Sequence, residues 1–142
     1  MISSISKTTP ILLDSNVIIA YFRTNESLHE IATKFIEGRE NFLVSDYVIS
    51  EVMTVLQLRE SREIMKKAVE VLTQNKHVSI LRLTWEELAQ TVNFMQESSK
   101  EISFIDCSLL ILARSRGLIV GTFDQDMIAT GEDIDVVDLA NN

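Results

Sequence analysis

One cysteine, one proline, one tryptophan and four glycines in 142 residues leave several kinds of chemistry without material. A lone Cys107 can form neither an intrachain disulfide nor a thiolate metal cluster. The glycines do not fall in the spacing of a phosphate-cradling loop, which excludes a P-loop. No apolar run approaches the ~20 residues that a bilayer-spanning helix needs. The stretch from Met1 to Thr9 is rich in Ser and Thr and lacks the apolar centre of a secretion signal. Cations are scarce: 13 Lys and Arg against 21 Asp and Glu give a net charge of −8. A protein that passively coats nucleic-acid backbone needs a basic face, so that class is disfavoured. An enzyme that holds nucleic acid through metal ions is not excluded. These absences lead to the expectation of a cytoplasmic protein with no membrane segment.

What is present is the make-up of a globular domain. Hydrophobic residues are 46% and charged residues 24% of the chain, which rules out disorder as the bulk state. A chain of this length buries roughly two-thirds of its unfolded surface. The expected organisation is a polar N-terminal tail over 1–10, ended by Pro10, and a single domain over 11–142. Charge is uneven along it. From Arg59 to Arg82 there are six cations (Arg59, Arg62, Lys66, Lys67, Lys76, Arg82) and three acids (Glu60, Glu63, Glu70). This segment reads either as a solvated helix face laced with i,i+3 and i,i+4 pairs or as a local basic patch. No Lys or Arg follows Arg116.

Short apolar runs alternate with helical periodicity. Ile11-Leu12-Leu13, Phe42-Leu43-Val44, Val78–Leu83, Leu118-Ile119-Val120 and Ile134–Val137 read as strands. Asn16–Phe22 and Leu28–Ile36 read as helical, with Gly38 as a stop. Ser45 or Asp46 caps a helix carrying Val48, Ile49, Val52, Val55 and Leu56. Ile64–Leu72 is amphipathic, with Ile64, Ala68, Val71 and Leu72 on one face. Thr84 with Glu87 forms a capping box that opens a helix through Met95. Ser103 precedes the apolar stretch Phe104–Ala113, stopped by Gly117. The alternation predicts an α/β fold with a parallel sheet and helices on both faces. In such sheets functional groups gather at the carboxyl ends of the strands, where Asp14 and Asp124 fall.

Two further acids stand in apolar company. Glu51 is flanked by Ile49, Val52, Met53, Val55 and Leu56, and Asp106 by Ile105 and Cys107. A buried carboxylate is costly unless paired. Each acid also has a plain structural reading: Asp14 in an Asx turn, Glu51 facing solvent, Asp106 as a first-turn dipole residue, Asp124 in a turn beside Asp126. Taken together, four acids at strand ends and helix starts, with no adjacent base, could converge on one cleft. Crowded carboxylates repel unless a proton or cation sits among them, and Mg²⁺ or Mn²⁺ suits an all-oxygen site. Such a cluster can activate a water and stabilise a phosphodiester transition state. Asn16 and Thr122 supply neutral donors that could orient the carboxylates.

The series Asp14-Ser15-Asn16-Val17-Ile18, then Ser50-Glu51-Val52, then Phe104-Ile105-Asp106-Cys107, then Gly121-Thr122-Phe123-Asp124-Gln125-Asp126 resembles the PIN-domain family, most of all its VapC-like toxin nucleases from type II toxin–antitoxin pairs. The likeness runs from about Ile11 to Leu139. It implies a three-layer α/β/α sandwich with a central, mainly parallel sheet of about five strands. It also implies Mg²⁺- or Mn²⁺-dependent endoribonuclease activity on RNA, a homodimer, and inhibition by an antitoxin, which should present Arg or Lys to the acidic cleft. Asp14, Glu51, Asp106 and Asp124 match the family's acidic quartet and would be both catalytic and metal-binding. Asn16 and Thr122 match its supporting positions, and Asp126 an additional acid carried by some members. Met127 stands where an aromatic residue or Leu is more usual.

Other residues are expected to be structural. His29 and His77 read as surface histidines, Cys107 as a small buried residue, and Trp85 as a partly buried packing residue rather than a base-stacking platform. Phe94 and Met95 suit a core or dimer face. The competing function is a PIN-like binding module that has lost effective catalysis. A receiver-like phospho-acceptor would need a Lys after a late strand, and none follows Lys100.

Overall fold

In the computed structural model, which describes residues 4–131 and 133–141, the elements alternate as the hydrophobic pattern requires. The strands are β1 (Ile11–Leu13), β2 (Phe42–Ser45), β3 (Val78–Leu81), β4 (Ile119–Thr122) and β5 (Val136–Asp138). The helices are α1 (Ser15–Phe22), α2 (His29–Glu37), α3 (Asp46–Arg59), α4 (Arg62–Gln74), α5 (Trp85–Glu97), α6 (Phe104–Arg116) and α7 (Gln125–Thr130). The five strands form one sheet in the order β3-β2-β1-β4-β5, and every pairing is parallel.

This order fixes where a site can lie. The chain leaves β1 toward β2 and β3, then returns across the sheet to β4 and β5. Right-handed crossovers therefore put α1–α4 on one face and α5–α7 on the other. The contacts agree: α1 packs on α2 and α3, α3 on α4, and α5 on α6. Between β1 and β4 the winding reverses, and the crevice outside their carboxyl ends is the place where such sheets carry ligands. Gly121 lets β4 sit close to its neighbours: a Cβ there would lie 3.0 Å from Ile11 Cγ2 and 3.2 Å from Leu139 Cδ1.

Local signals set most element starts. Ser45, Thr84 and Ser103 accept N–H groups of Val48, Glu87 and Asp106, as caps should. Gly117 closes α6 in the left-handed region at φ 65°. α6 buries all of Cys107–Ala113, so it is the central helix of its layer. Ser61, which the apolar pattern does not mark, accepts from Ile64 N at 3.2 Å and starts α4 earlier than expected. β4 runs past Val120 to Thr122, and β5 is Val136–Asp138 rather than Ile134–Val137. β3 stops at Leu81. The six-residue α7, which the apolar pattern does not mark, is capped by Asp124. The segment before Pro10 is held by hydrogen bonds: the Arg39 guanidinium donates to Ser6 O, Glu40 N donates to Lys7 O, and Asn41 donates to Thr8 O.

Three expectations about side chains need correction or refinement. Trp85 is 86% exposed. It is the first residue of α5, whose buried positions are Glu87 and Thr91; at ~100° per residue this turns the indole away from the core. The Arg59–Arg82 cations are all exposed, and among the described residues they form no ion pairs with the acids of their own segment. Glu60 pairs instead with Arg23, at 2.9 Å. The segment thus carries exposed cations without ion pairs, interspersed with the exposed Glu63 and Glu70. His29 is only half exposed, because Nδ1 is 2.7 Å from Ala20 O; His77 is exposed as expected.

Candidate active site

Asp14 follows β1 directly, and β1 is buried end to end. Its side chain is 2% exposed. One oxygen, Oδ1, accepts Ser15 N at 2.7 Å and so caps α1. The other, Oδ2, accepts the Thr122 hydroxyl at 2.7 Å from the end of β4. Its backbone N–H donates to Gly121 O at 3.0 Å, so strand pairing and side chain reinforce each other. Thr122 Oγ1 is a hub: besides donating to Asp14 it accepts Asp124 N at 2.9 Å and Asn16 Nδ2 at 3.4 Å. Asn16 Oδ1 accepts Phe123 N at 3.4 Å. Asn16 and Thr122 thus tie the β1–α1 and β4–α7 junctions together across the switch point.

The other acids come from helices. Asp124 caps α7, with Oδ1 accepting Asp126 N at 2.9 Å and Met127 N at 3.4 Å. Asp106 lies in the first turn of α6, half-buried, and its N–H donates to Ser103 Oγ at 3.1 Å. Glu51 lies on α3 between the buried Val48 and Val52 and is itself partly exposed.

Electrostatics link the four. Asp14 is raised from 3.8 to about 7, first by burial, then by the charges of Asp106 and Glu51, against the lowering effect of the Thr122 and Ser15 hydrogen bonds. Asp106 is raised from 3.8 to about 6, again first by burial, then by Asp124 and Glu51, against the Ser103 hydroxyl. Each acid of the quartet is thus felt by another. For both, burial outweighs mutual repulsion. Asp126 is exposed on α7 and is not among the charges that displace Asp14 or Asp106.

The donor set fits a hard divalent cation. It is all carboxylate, no Lys or Arg acts on Asp14 or Asp106, and burial raises both, Asp14 to about 7 and Asp106 to about 6. A cation there would remove the cost of ionising them. Among the described residues no three His, Cys, Asp or Glu side chains already close around a single point. Asp14 and Asp124 spend oxygens on the N–H groups of α1 and α7.

Two features of the site region escaped sequence reasoning. Tyr47, on α3, packs edge-to-face on Phe104 of α6 at 5.1 Å and 77°, bracing the helices that carry Glu51 and Asp106. Buried Glu87 receives two bonds from Arg116, at 2.6 and 2.9 Å, and one from Ser115 at 2.7 Å. This lowers Glu87 to about 2, with the Arg116 bonds the largest cause. The capping box already marked Glu87, but nothing local identified Arg116 as its partner.

Comparison with known proteins agrees with this geometry. The PIN-domain family profile matches residues 11–133. Among curated proteins, none matches the sequence. Among solved structures, Mycobacterium tuberculosis VapC20, described as a sarcin-ricin loop cleaving toxin, is similar with a TM-score of 0.78 at 20% identity, over 85% of this chain and 95% of that one. The FitAcB structure from Neisseria gonorrhoeae is similar at 0.69 and 22% identity, over 93% and 99% of the two chains. A toxin–antitoxin complex from Klebsiella pneumoniae is similar at 0.69 and 19% identity, over 89% and 95%.

Proposed function

This chain belongs to the PIN-domain family, and on that premise we propose that it is a Mg²⁺- or Mn²⁺-dependent endoribonuclease and the toxin of a toxin–antitoxin pair. The observation that carries the reading is the junction at the carboxyl ends of β1 and β4, where the Thr122 hydroxyl joins buried Asp14 Oδ2 to Asp124 N, with Asp106 and Glu51 near enough for their charges to act on Asp14. These four acids, Asp14, Glu51, Asp106 and Asp124, would hold the ion. When bound, a divalent cation there supplies charge stabilisation at a phosphodiester and a more acidic water.

The chain's own residues do the positioning. Thr122 holds Asp14 Oδ2 at a fixed angle, so one face of the carboxyl is set before any ligand arrives. Asn16 links Thr122 to Phe123 N and keeps Asp124 close to β1. Asp106 and Asp14, both raised by burial without an ion, would be ionised with a cation between them, and their oxygens would then orient the ion and its water. Asp126, on the exposed side of α7, is the auxiliary acid of this proposal.

The partners follow from charge. The site is acidic within an already acidic chain, so an inhibitory antitoxin segment should offer Arg or Lys to the quartet. Two structurally similar proteins are FitAcB and a toxin–antitoxin complex, which supports the pairing. A homodimer is part of the same proposal. No described helix is long and apolar enough to cross a membrane.

The test is incubation of the purified protein with total RNA in Mn²⁺, Mg²⁺ or EDTA, beside Asp14→Asn. Metal-dependent cleavage by wild type and none by the variant is the expected result. No cleavage in any metal leaves a PIN-like binding module instead.

A further inference from the structure

The exposed Trp85 does not stand alone. It borders an open pocket of about 460 Å³ lined also by Asp46, Tyr47, Arg82, Leu83, Thr84 and Leu88. A pocket of this size can take one nucleoside-sized group. Its walls are firmly built. Thr84 and Glu87 close a reciprocal capping box at 3.1 and 2.9 Å, fixing the first turn of α5. Arg116 bonds both Glu87 and the carbonyl of Arg82, the latter at 2.7 Å, fixing the β3–α5 turn. The indole is therefore presented to solvent from a braced turn, at the entropic advantage that rigid aromatic contact surfaces have.

Its position is tied to the acidic site. Leu81 pairs with Ser45 in register, and Leu12 with Leu43. The carboxyl ends of β3, β2 and β1 thus form one row, and Arg82, Asp46 and Asp14 each follow a strand of that row. At ~4.8 Å per strand, the Asp46 backbone lies about one strand spacing and the Arg82 backbone about two from that of Asp14 along the sheet edge. Tyr47 joins the two regions, since it lines the pocket and packs on Phe104 in the first turn of α6. Charge favours a polyanion here. Arg82 is exposed and forms no ion pair among the described residues. It is the last of the unpaired cations of 59–82. The acids at the rim are Asp46, whose carboxylate accepts Tyr47 N and faces the Arg116 charge, and the exposed Glu86.

We propose that Trp85, Arg82 and Tyr47 form a subsite that stacks an unpaired base of the RNA and holds its phosphate, next to the acidic quartet. The proposal rests on the nuclease reading and names what that reading leaves open: single-stranded RNA, gripped on the β3 side of the cleft. The indole face accepts any base by stacking. The Arg82 guanidinium meets the adjoining phosphate.

Trp85 is the only tryptophan, so its emission reports this site directly. The probe is a mixed-sequence single-stranded RNA oligonucleotide of about a dozen nucleotides, titrated with Mg²⁺ into Asp14→Asn to prevent turnover. Quenching of Trp85 emission is expected with the single strand and not with the same sequence as a duplex. In the same Asp14→Asn background, followed by a labelled oligonucleotide, Trp85→Ala should weaken binding about tenfold, and Trp85→Phe should restore most of it. Arg82→Ala should weaken binding and flatten its salt dependence. The indole is exposed, so these variants should melt with wild type, and if Trp85→Ala does not, Trp85→Leu, which keeps apolar bulk without a stacking face, takes its place. Unchanged emission with unchanged affinity in Trp85→Ala overturns the subsite. Emission that shifts with protein concentration alone, and not with RNA, also overturns it and assigns the indole to a protein contact. Wild type that cleaves RNA while Trp85→Ala matches it in affinity and rate leaves the nuclease standing and the subsite refuted. Quenching by RNA without any metal-dependent cleavage does the reverse.

Discussion

The Thr122 hydroxyl donates to Asp14 Oδ2 at 2.7 Å across 108 residues of sequence, joining the ends of β1 and β4. The bond opposes the burial that raises Asp14. Thr122→Val keeps the shape and removes the donor. We expect the Asp14 carboxyl to rise above about 7, cleavage to fall by 10- to 100-fold as for other lost orienting partners, and stability to drop by about 1–3 kcal/mol. Carboxyl titration by NMR and a thermal melt check this. A variant with wild-type cleavage and an unmoved Asp14 would mean that Thr122 orients nothing.

The raised acids make the metal-free protein less stable as pH rises. Asp14 ionises near 3.8 when unfolded and near 7 when folded, so between these values the folded state holds a proton that the unfolded state has lost. Its contribution is complete below about pH 4 and is lost by about pH 7, at up to ~1.4 kcal/mol per pH unit. Asp106 behaves alike, with its window closing near pH 6. Glu87 works in the opposite direction: held near 2 by Arg116, its contribution is present above about pH 4.5 and is lost on acidification. Asp14→Asn minus wild type isolates the first effect. Denaturant melts in EDTA at pH 4, 5.5 and 7 should show the variant gaining on wild type with rising pH; a pH-independent difference contradicts the burial of Asp14 as a charge.

Metal should reverse that loss. A cation that binds only the folded cluster raises the melting temperature by mass action. Mn²⁺ or Mg²⁺ should stabilise wild type at pH 7 and have little effect on Asp106→Asn. In EDTA the same variant should be more stable than wild type by about 1 kcal/mol, since it removes a strained carboxyl, while cleavage is abolished. If Asp106→Asn melts well below wild type in EDTA and metal shifts neither protein, Asp106 is only a helix-start residue.

Arg116→Ala should be costly despite its surface position. It leaves Glu87, buried at the start of α5, without the partner that keeps its charge affordable. With part of the guanidinium in solvent, a loss of about 2 kcal/mol is expected, below the 3–5 of a fully buried pair. A double-mutant cycle with Glu87→Gln measures the coupling. Additive effects would show that the two side chains act separately.

The sequence by itself determined what depends on neighbours along the chain. Apolar runs of three or four residues, each followed by a capping residue and a helical period, are local, so β1, β2 and α3, α5 and α6 were legible with their caps Ser45, Thr84 and Ser103. The strand-end positions of Asp14 and Asp124 were legible for the same reason. The tertiary structure alone decided which strand ends adjoin. The order β3-β2-β1-β4-β5 puts Thr122 against Asp14 and makes burial, rather than repulsion, the main force on both raised acids. It also decided that Arg116 would reach Glu87 and that Trp85 would face water. Strand order, pairing between distant segments and the outward side of a helix's first turn arise from packing of whole layers, and no local period of the sequence encodes them.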